Sequence, residues 1–173
     1  MADLFSHLLI VWSVLTIASW HYEWLTPRWV AVGVIGAIFP DLSRVAMIVP
    51  DSRIETLLGM PFSWDVLHTL GGALLLAAMG AQLFARERGR AFVLLSGGAV
   101  LHLLTDAVKI YSDGYAAMWL YPVTNYRHPS MDLYVSSDPT VLVVSVLFAG
   151  IVFVADRRLV DRASRVLSGD EPV

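Results

Sequence analysis

Five apolar stretches, separated by polar or aromatic segments, dominate the hydropathy pattern of the chain. They cover residues 4–20, 29–40 (extending toward 50), 66–85, 91–108 and 140–155. Crossing the hydrocarbon core of a bilayer takes about 20 residues, with a range of about 17–25. The third and fourth stretches meet this length and the first is adequate, whereas the second and fifth rely on flanking aromatic residues or local thinning. The pattern predicts an all-α, polytopic membrane bundle of about five transmembrane helices.

Composition supports the membrane class. Of the 173 residues, 57% are hydrophobic and only 16% are charged, whereas soluble domains carry about 25% charged residues. Without a repeat or a dividing linker, the chain is predicted to form one integral membrane domain over 1–173, with a tail at 156–173. The first three residues contain no Lys or Arg and no small-residue cleavage site follows the first stretch. We therefore expect the first helix to be retained rather than removed as a signal peptide.

Charge and cysteine content remove several function classes. The net charge is −3 and there are no cysteines. A negative chain offers no basic surface for nucleic acid, and the lack of cysteine excludes disulfides, thiolate metal sites and a cysteine nucleophile. The bilayer is the partner that composition indicates, and the oligomeric state stays open.

Basic residues are distributed unequally between the two sides of this topology. One side carries eight arginines and the other carries four basic residues, Arg44, Arg53, Lys109 and Arg127. The positive-inside rule places the eight in the cytoplasm. The sequence therefore predicts an inner-membrane protein with its N-terminus outside and its C-terminus in the cytoplasm.

Two long loops are predicted on the outer side, at 42–64 and 109–139. The first is expected to contain an interfacial helix near 52–59. Lys109, at the start of the second, is expected to extend toward the interface. Aromatic residues are expected to form interfacial belts, with Trp20, Tyr22, Trp24 and Trp29 on the cytoplasmic side.

The unusual polar residues of the spans collect near the predicted outer face: His7, Asp41, Asp65, His68, His102 and Asp106. His102 and Asp106 are four residues apart and Asp65 and His68 are three apart, which are spacings that make helix neighbours. An ionisable group inside a span costs about 2.5–3.5 kcal/mol on insertion scales, so it normally faces the bundle interior and has a partner. Imidazole and carboxylate without thiolate suit zinc or another divalent metal.

The same His and Asp residues could instead have purely structural roles. A single His in a span is more often a hydrogen-bonding group between helices than a ligand. Asp41 and Asp65 each precede a helical segment, where Asp is a favoured N-cap. The shared depth of the whole set is what favours a polar or metal site.

The order of these residues resembles a known family. Its elements are a His early in the first helix, Pro-Asp ending the second, a His opening the third, Gly-x-x-x-His-x-x-x-Asp in the fourth and a Gly-containing loop leading to an aromatic-Pro pair. Here they read Ser6-His7, Phe39-Pro40-Asp41-Leu42-Ser43, Asp65-Val66-Leu67-His68-Thr69, Gly98-Ala99-Val100-Leu101-His102-Leu103-Leu104-Thr105-Asp106, and Gly114 with Trp119-Leu120-Tyr121-Pro122. The set, over about residues 5–125, resembles the YdjM-like membrane-bound, metal-dependent hydrolases, which are distantly similar to zinc-dependent phospholipase C and the P1-type nucleases.

This resemblance implies an all-α hydrolase acting on a phosphoester such as a lipid or lipid-linked phosphate. Carried over by position, the metal ligands would be His7, Asp41, His68, His102 and Asp106. Asp106 would also serve in catalysis. Under the enzyme hypothesis Asp65, which is not among the residues carried over, would act as a general base. The implied cofactor is a divalent metal, zinc first, as one or two ions near the outer face.

The chain also departs from that family pattern. Family members often carry Pro-Asp-x-Asp, where this chain has Ser43 as the last residue, and often carry His-Arg where it has Ser63-Trp64. Two ligands are thereby lost, which argues against a trinuclear zinc centre, and Asp65 would partly replace the lost His. The losses favour a second hypothesis, a non-catalytic scaffold or pseudoenzyme. A third, an ion- or proton-handling protein, is disfavoured because a relay needs polar groups across the whole bilayer.

Overall fold

In the computed structural model, the described residues are 2–135 and 138–168, with side chains described at 4–135 and 138–161. Residues 169–173 of the predicted tail, and the side chains of Arg162 and Arg165, lie outside them. Six α-helices and two 3-10 helices form, and the described ranges contain no β-strand. The α-helices are α1 (Ala2–Ser19), α2 (Pro27–Gly36), α3 (Asp51–Leu58), α4 (Leu70–Ala81), α5 (Arg88–Ala107) and α6 (Pro139–Ser168), and the 3-10 helices are η1 (Pro40–Met47) and η2 (Trp64–His68). The all-α fold and a helix near 52–59 are confirmed.

Each predicted apolar stretch contains an α-helix, but fewer helices than predicted are long enough to cross a membrane. Among the described residues, Arg88–Ala107 and Pro139–Asp161 qualify by length and composition. Pro27–Gly36 and Pro40–Met47, bent by 46°, qualify together as a third broken span. The apolar helices Leu4–Ser19 and Leu70–Ala81 are shorter. A helical membrane bundle with two to three candidate spans therefore stands, and the number five is not confirmed.

The third stretch differs most from its prediction. A helix over 66–85 was expected, yet α4 has 12 residues. Thr69 has an extended backbone (φ −102°, ψ 161°), and its hydroxyl accepts from the Gly72 N–H at 3.1 Å and donates to the Val66 carbonyl at 2.7 Å. This N-cap separates α4 from η2, so His68 lies on the 3-10 segment and not on the α-helix.

The central helix of the bundle is α5. Its buried residues recur every three or four positions and include both apolar and polar side chains: Ala91, Leu94, Leu95, Gly98, Ala99, His102, Leu103, Asp106 and Ala107. Helices α2 and α4 pack against it, while α6 packs mainly against α1. The polar residues of α5 therefore face other helices rather than lipid.

Glycines allow α2 and α5 to touch through their backbones. A Cβ atom at Gly98 would overlap the carbonyl oxygen of Gly33, and one at Gly36 would overlap that of Leu95. Close approach through small residues is how helices associate in lipid, where burial supplies little driving force. This contact fixes the end of α2, and hence the break that follows it, against the His102 side of α5.

The end of the bundle away from His102 and Asp106 is apolar, aromatic and basic. Arg90 lies over the rings of Trp24 and Trp29, with its guanidinium carbon 5.5 and 5.3 Å from the ring centroids. Trp20 donates a 2.9 Å hydrogen bond to Asp156. Trp29 is only 4% exposed and stacks on Phe84, so its assignment to the interfacial belt was wrong: it belongs to the core.

Candidate metal centre

Two helices contribute the most deeply buried part of the polar cluster. His7 of α1 and His102 and Asp106 of α5 are each at most 2% exposed. His7 Nε2 is 2.9 Å from Asp106 Oδ1, and His102 Nε2 is 3.5 Å from Asp106 Oδ2. The two imidazole centroids are 4.1 Å apart. The i, i+4 spacing on α5 thus places one imidazole and one carboxylate beside a second imidazole from α1.

The break between α2 and η1 contributes Asp41. Pro40 begins the 3-10 helix, so the chain turns at this point and Asp41 enters the bundle, where it is 8% exposed. Its Oδ1 accepts a 2.7 Å hydrogen bond from Arg44 Nε. Its Oδ2 is buried and has no hydrogen-bond partner among the described residues. One carboxylate oxygen therefore remains available to a cation.

His68 of η2 lies between Asp106 of α5 and Pro40 of η1. Its Nε2 lies 2.8 Å from Asp106 Oδ2 and its Nδ1 lies 3.1 Å from the Pro40 carbonyl oxygen. Its side chain is 20% exposed, more than that of His7, His102 or Asp106. His68 is therefore the point where the buried cluster meets the surface.

The five predicted ligands come together in two overlapping groups. One contains His7, His102 and Asp106, and the other contains Asp41, His68 and His102. Within each group one ligand atom per residue lies within 4.8 Å of the others. His102 belongs to both groups, so all five residues form one connected cluster that we call the His-Asp cluster.

Hydrogen-bond chemistry shows that this cluster fits a cation. The Pro40 carbonyl can only accept, so His68 Nδ1 carries the proton, and in the neutral ring the Nε2 lone pair faces the Asp106 carboxylate. A lone pair 2.8 Å from a carboxylate oxygen is repulsive unless a proton or a metal ion lies between them. In addition, both ring nitrogens of His102 are buried without a hydrogen-bond partner in the described part of the chain. Three imidazoles and two carboxylates match the donor set of zinc.

Lys109 is a member of the site that the sequence interpretation missed. It was expected to extend toward the interface, but its side chain is 8% exposed and its ammonium contacts Asp106 Oδ1. The backbone explains the difference, because the segment after α5 pairs with the chain near Tyr134. The i, i+3 spacing from Asp106 was the only available signal. Lys109 neutralises part of the carboxylate charge.

Asp65, the predicted general base, lies outside the His-Asp cluster. It is exposed in the first turn of η2, where its backbone N–H donates to Ser63 Oγ at 3.2 Å. A cavity of about 860 Å³ lies against it, and His68 forms part of the same wall. The other lining residues are Ser43, Ser63, Val66, Thr69, Ala117, Met118, Tyr121, Asn125 and Arg127. Asp65 is thus placed to meet a molecule in the cavity rather than an ion in the cluster.

The far wall of the cavity belongs to the loop after α5, and Arg127 organises it. Arg127 donates to Asp113 Oδ2 at 2.6 Å, to the Ala116 carbonyl at 2.9 Å and to the Tyr115 carbonyl at 2.8 Å. The first of these bonds holds the pKa of Asp113 below its ordinary value. A depressed carboxyl pKa means that the loop contact is present at neutral pH and is lost as the pH falls through that folded-state pKa.

Replacing Arg127 by Met is expected to loosen this loop without releasing metal, because the hydrogen bonds described above join Arg127 to the loop and not to the His-Asp cluster. Amide hydrogen exchange over 113–128 should rise several-fold, since exposed hydrogen-bonded loops open locally. Arg53→Met, on the exposed face of α3, is the matched control and should leave the exchange unchanged. Loss of bound metal in Arg127→Met would contradict the separation of loop and cluster.

Comparison with known proteins identifies the family. The profile described as YdjM inner membrane protein matches residues 1–167. No curated protein and no solved structure shows a significant match. The match includes all five residues of the His-Asp cluster and every helix described above except the last residue of α6. An inner-membrane location agrees with the apolar helices. The chain belongs to the YdjM inner membrane protein family.

Proposed function

We propose that this protein is a membrane-bound, metal-dependent hydrolase of phosphoesters, with a lipid or lipid-linked phosphate as substrate. The observation that carries the proposal is the convergence of three His and two Asp from α1, η1, η2 and α5 beside an open cavity. His7, Asp41, His68, His102 and Asp106 would hold one or two zinc ions. A bound divalent metal would supply Lewis acidity toward a phosphoryl oxygen and would lower the pKa of water.

Three residues, Asp106, Asp65 and Lys109, would have distinct roles in this reaction. Asp106 faces Nε2 of both His7 and His68 through its two oxygens, so the carboxylate and the two imidazoles would bind metal together as ligands. Asp65, exposed in the cavity wall, would accept a proton from the attacking water. Lys109 keeps positive charge next to the cluster, where the phosphoryl group would bring negative charge.

The walls of the cavity suit an amphiphilic substrate. His68 and Asp65 form the polar side, whereas Val66, Ala117 and Met118 add apolar surface. A phosphate group at the polar side would leave its apolar chain along these residues. We place this site near the outer face of the inner membrane, with the N-terminus outside, on the strength of the arginine distribution.

The test is hydrolysis by the detergent-purified, zinc-loaded protein of a long-chain lipid phosphoester and a soluble short-chain one. The wild type is expected to release phosphate or alcohol from the lipid substrate. Asp65→Asn should lower kcat by about 100-fold or more while retaining bound zinc. Absence of turnover on every phosphoester by zinc-loaded wild type would reject the hydrolase.

One observation favours a second candidate, a non-catalytic scaffold. Asp106 already has cationic or potentially cationic partners in His7, His68 and Lys109. Such a charged network can hold α1, η2 and the end of α5 together without chemistry. Under this alternative, zinc removal would lower the melting temperature, and no substrate would be turned over.

A further inference from the structure

Thr105 connects the two buried histidines of the His-Asp cluster. Its hydroxyl donates a 2.7 Å hydrogen bond to the His102 carbonyl, three residues earlier on α5. The same oxygen lies 2.5 Å from His7 Nδ1, which is 98 positions away in the sequence. A Thr hydroxyl that donates to a carbonyl one turn earlier is common in helices. This local bond does not explain why the same hydroxyl also contacts His7 of α1.

These two contacts determine which nitrogen of His7 carries the proton. The His102 carbonyl can only accept, so it takes the single hydroxyl proton of Thr105. The hydroxyl oxygen must then accept from His7, which requires a proton on Nδ1. In the neutral ring the Nε2 lone pair is then directed at Asp106 Oδ1, 2.9 Å away, and as at His68 this contact is favourable only with a cation between the two atoms. His7 is thereby presented to the cluster through Nε2, as His68 is through its bond to the Pro40 carbonyl.

We propose that Thr105 is a positioning residue that fixes the Nδ1–H tautomer and the ring orientation of His7 for metal binding through Nε2. This inference rests on the metal centre of the proposed function and assigns to Thr105 a role outside the ligand set. Groups that hold the second nitrogen of a metal-binding His typically change metal affinity by about 10- to 100-fold. A side-chain hydroxyl, unlike the Pro40 carbonyl, can be removed by substitution.

Two substitutions separate the hydroxyl from the shape of the side chain. Thr105→Val keeps the volume and removes the oxygen, whereas Thr105→Ser keeps the oxygen and removes the methyl group. Zinc affinity of the full-length protein, measured by competition with a chelator, should fall about 10- to 100-fold in Thr105→Val and stay within about threefold of wild type in Thr105→Ser. Equal weakening by both variants, or none in Thr105→Val, would overturn the proposal.

A second readout concerns the ring nitrogens themselves. Nitrogen-15 NMR of the zinc-loaded protein reports which nitrogen of His7 carries a proton. We expect a proton on Nδ1 and none on Nε2 in wild type and Thr105→Ser, and a smaller population of this form in Thr105→Val. A proton on Nε2 in the zinc-loaded wild type would overturn the role of Thr105. Zinc binding with Nδ1 protonated but without turnover of any phosphoester would reject the hydrolase and leave the role of Thr105 standing.

Discussion

Replacing His102 by alanine is expected to remove the bound metal from this protein. His102 is fully buried and is the one residue shared by both groups of the His-Asp cluster. Its loss takes a ligand from each group, so elemental analysis should fall from about one or two equivalents of zinc, the number that the donor set supports, to nearly none. Phosphoester hydrolysis should disappear with the metal.

The controls separate loss of the ligand from loss of the fold. His21→Ala changes an exposed His at the opposite end of the bundle and should keep both metal and activity. His102→Gln keeps most of the side-chain volume, which limits the cavity that the Ala variant leaves, and should lose metal while its thermal unfolding stays close to that of metal-free wild type. Full zinc content in a folded His102→Gln would contradict the assignment of His102.

A Gly98→Ala variant is expected to destabilise the bundle by about 3 kcal/mol or more, at the upper end of overpacking costs. The added methyl group would overlap the carbonyl oxygen of Gly33 and come close to the Ala37 nitrogen. Because the obstruction is backbone, α2 and α5 must separate, and the break that carries Asp41 must move with α2. Chemical denaturation in detergent measures the loss, and zinc affinity should fall as well.

Gly97 supplies the matched control on the same helix. A Cβ atom there meets nothing within 4 Å, so Gly97→Ala should be neutral or stabilising by up to about 1 kcal/mol, the propensity difference between Ala and Gly. If the two variants had equal stability, α2 and α5 would not be in backbone contact.

The His-Asp cluster could be predicted from the sequence because its signals are local. The i, i+4 pair on α5 and the Pro-Asp end of the second stretch specify helix faces and ends without tertiary information. The alignment of four segments at one depth followed from apolar lengths and arginine counts. Those signals sufficed to bring together His7, Asp41 and His68.

The remaining parts of the site depend on contacts between distant segments. The position of Lys109 follows from backbone pairing near Tyr134, and the Thr105–His7 contact joins residues 98 positions apart. Hydropathy could not reveal that Thr69 makes α4 begin at Leu70 rather than near residue 66, since Val66 and Leu67 are also apolar. The prediction for Trp29 failed for a similar reason. A Trp beside an arginine is typical of the membrane interface, and the sequence does not show that this ring stacks on Phe84.

The shortness of α4 has a mechanical consequence. Twelve residues of helix extend about 18 Å, whereas the hydrocarbon core of a bilayer is about 30 Å thick. A bilayer that α4 crossed would respond by hydrophobic mismatch, with the surrounding leaflets drawn inward or shorter acyl chains recruited. His68 lies on η2, directly before α4. Local thinning of the bilayer around α4 would therefore bring lipid headgroups closer to His68. Membrane thickness would then tune how readily a lipid phosphate reaches the cavity.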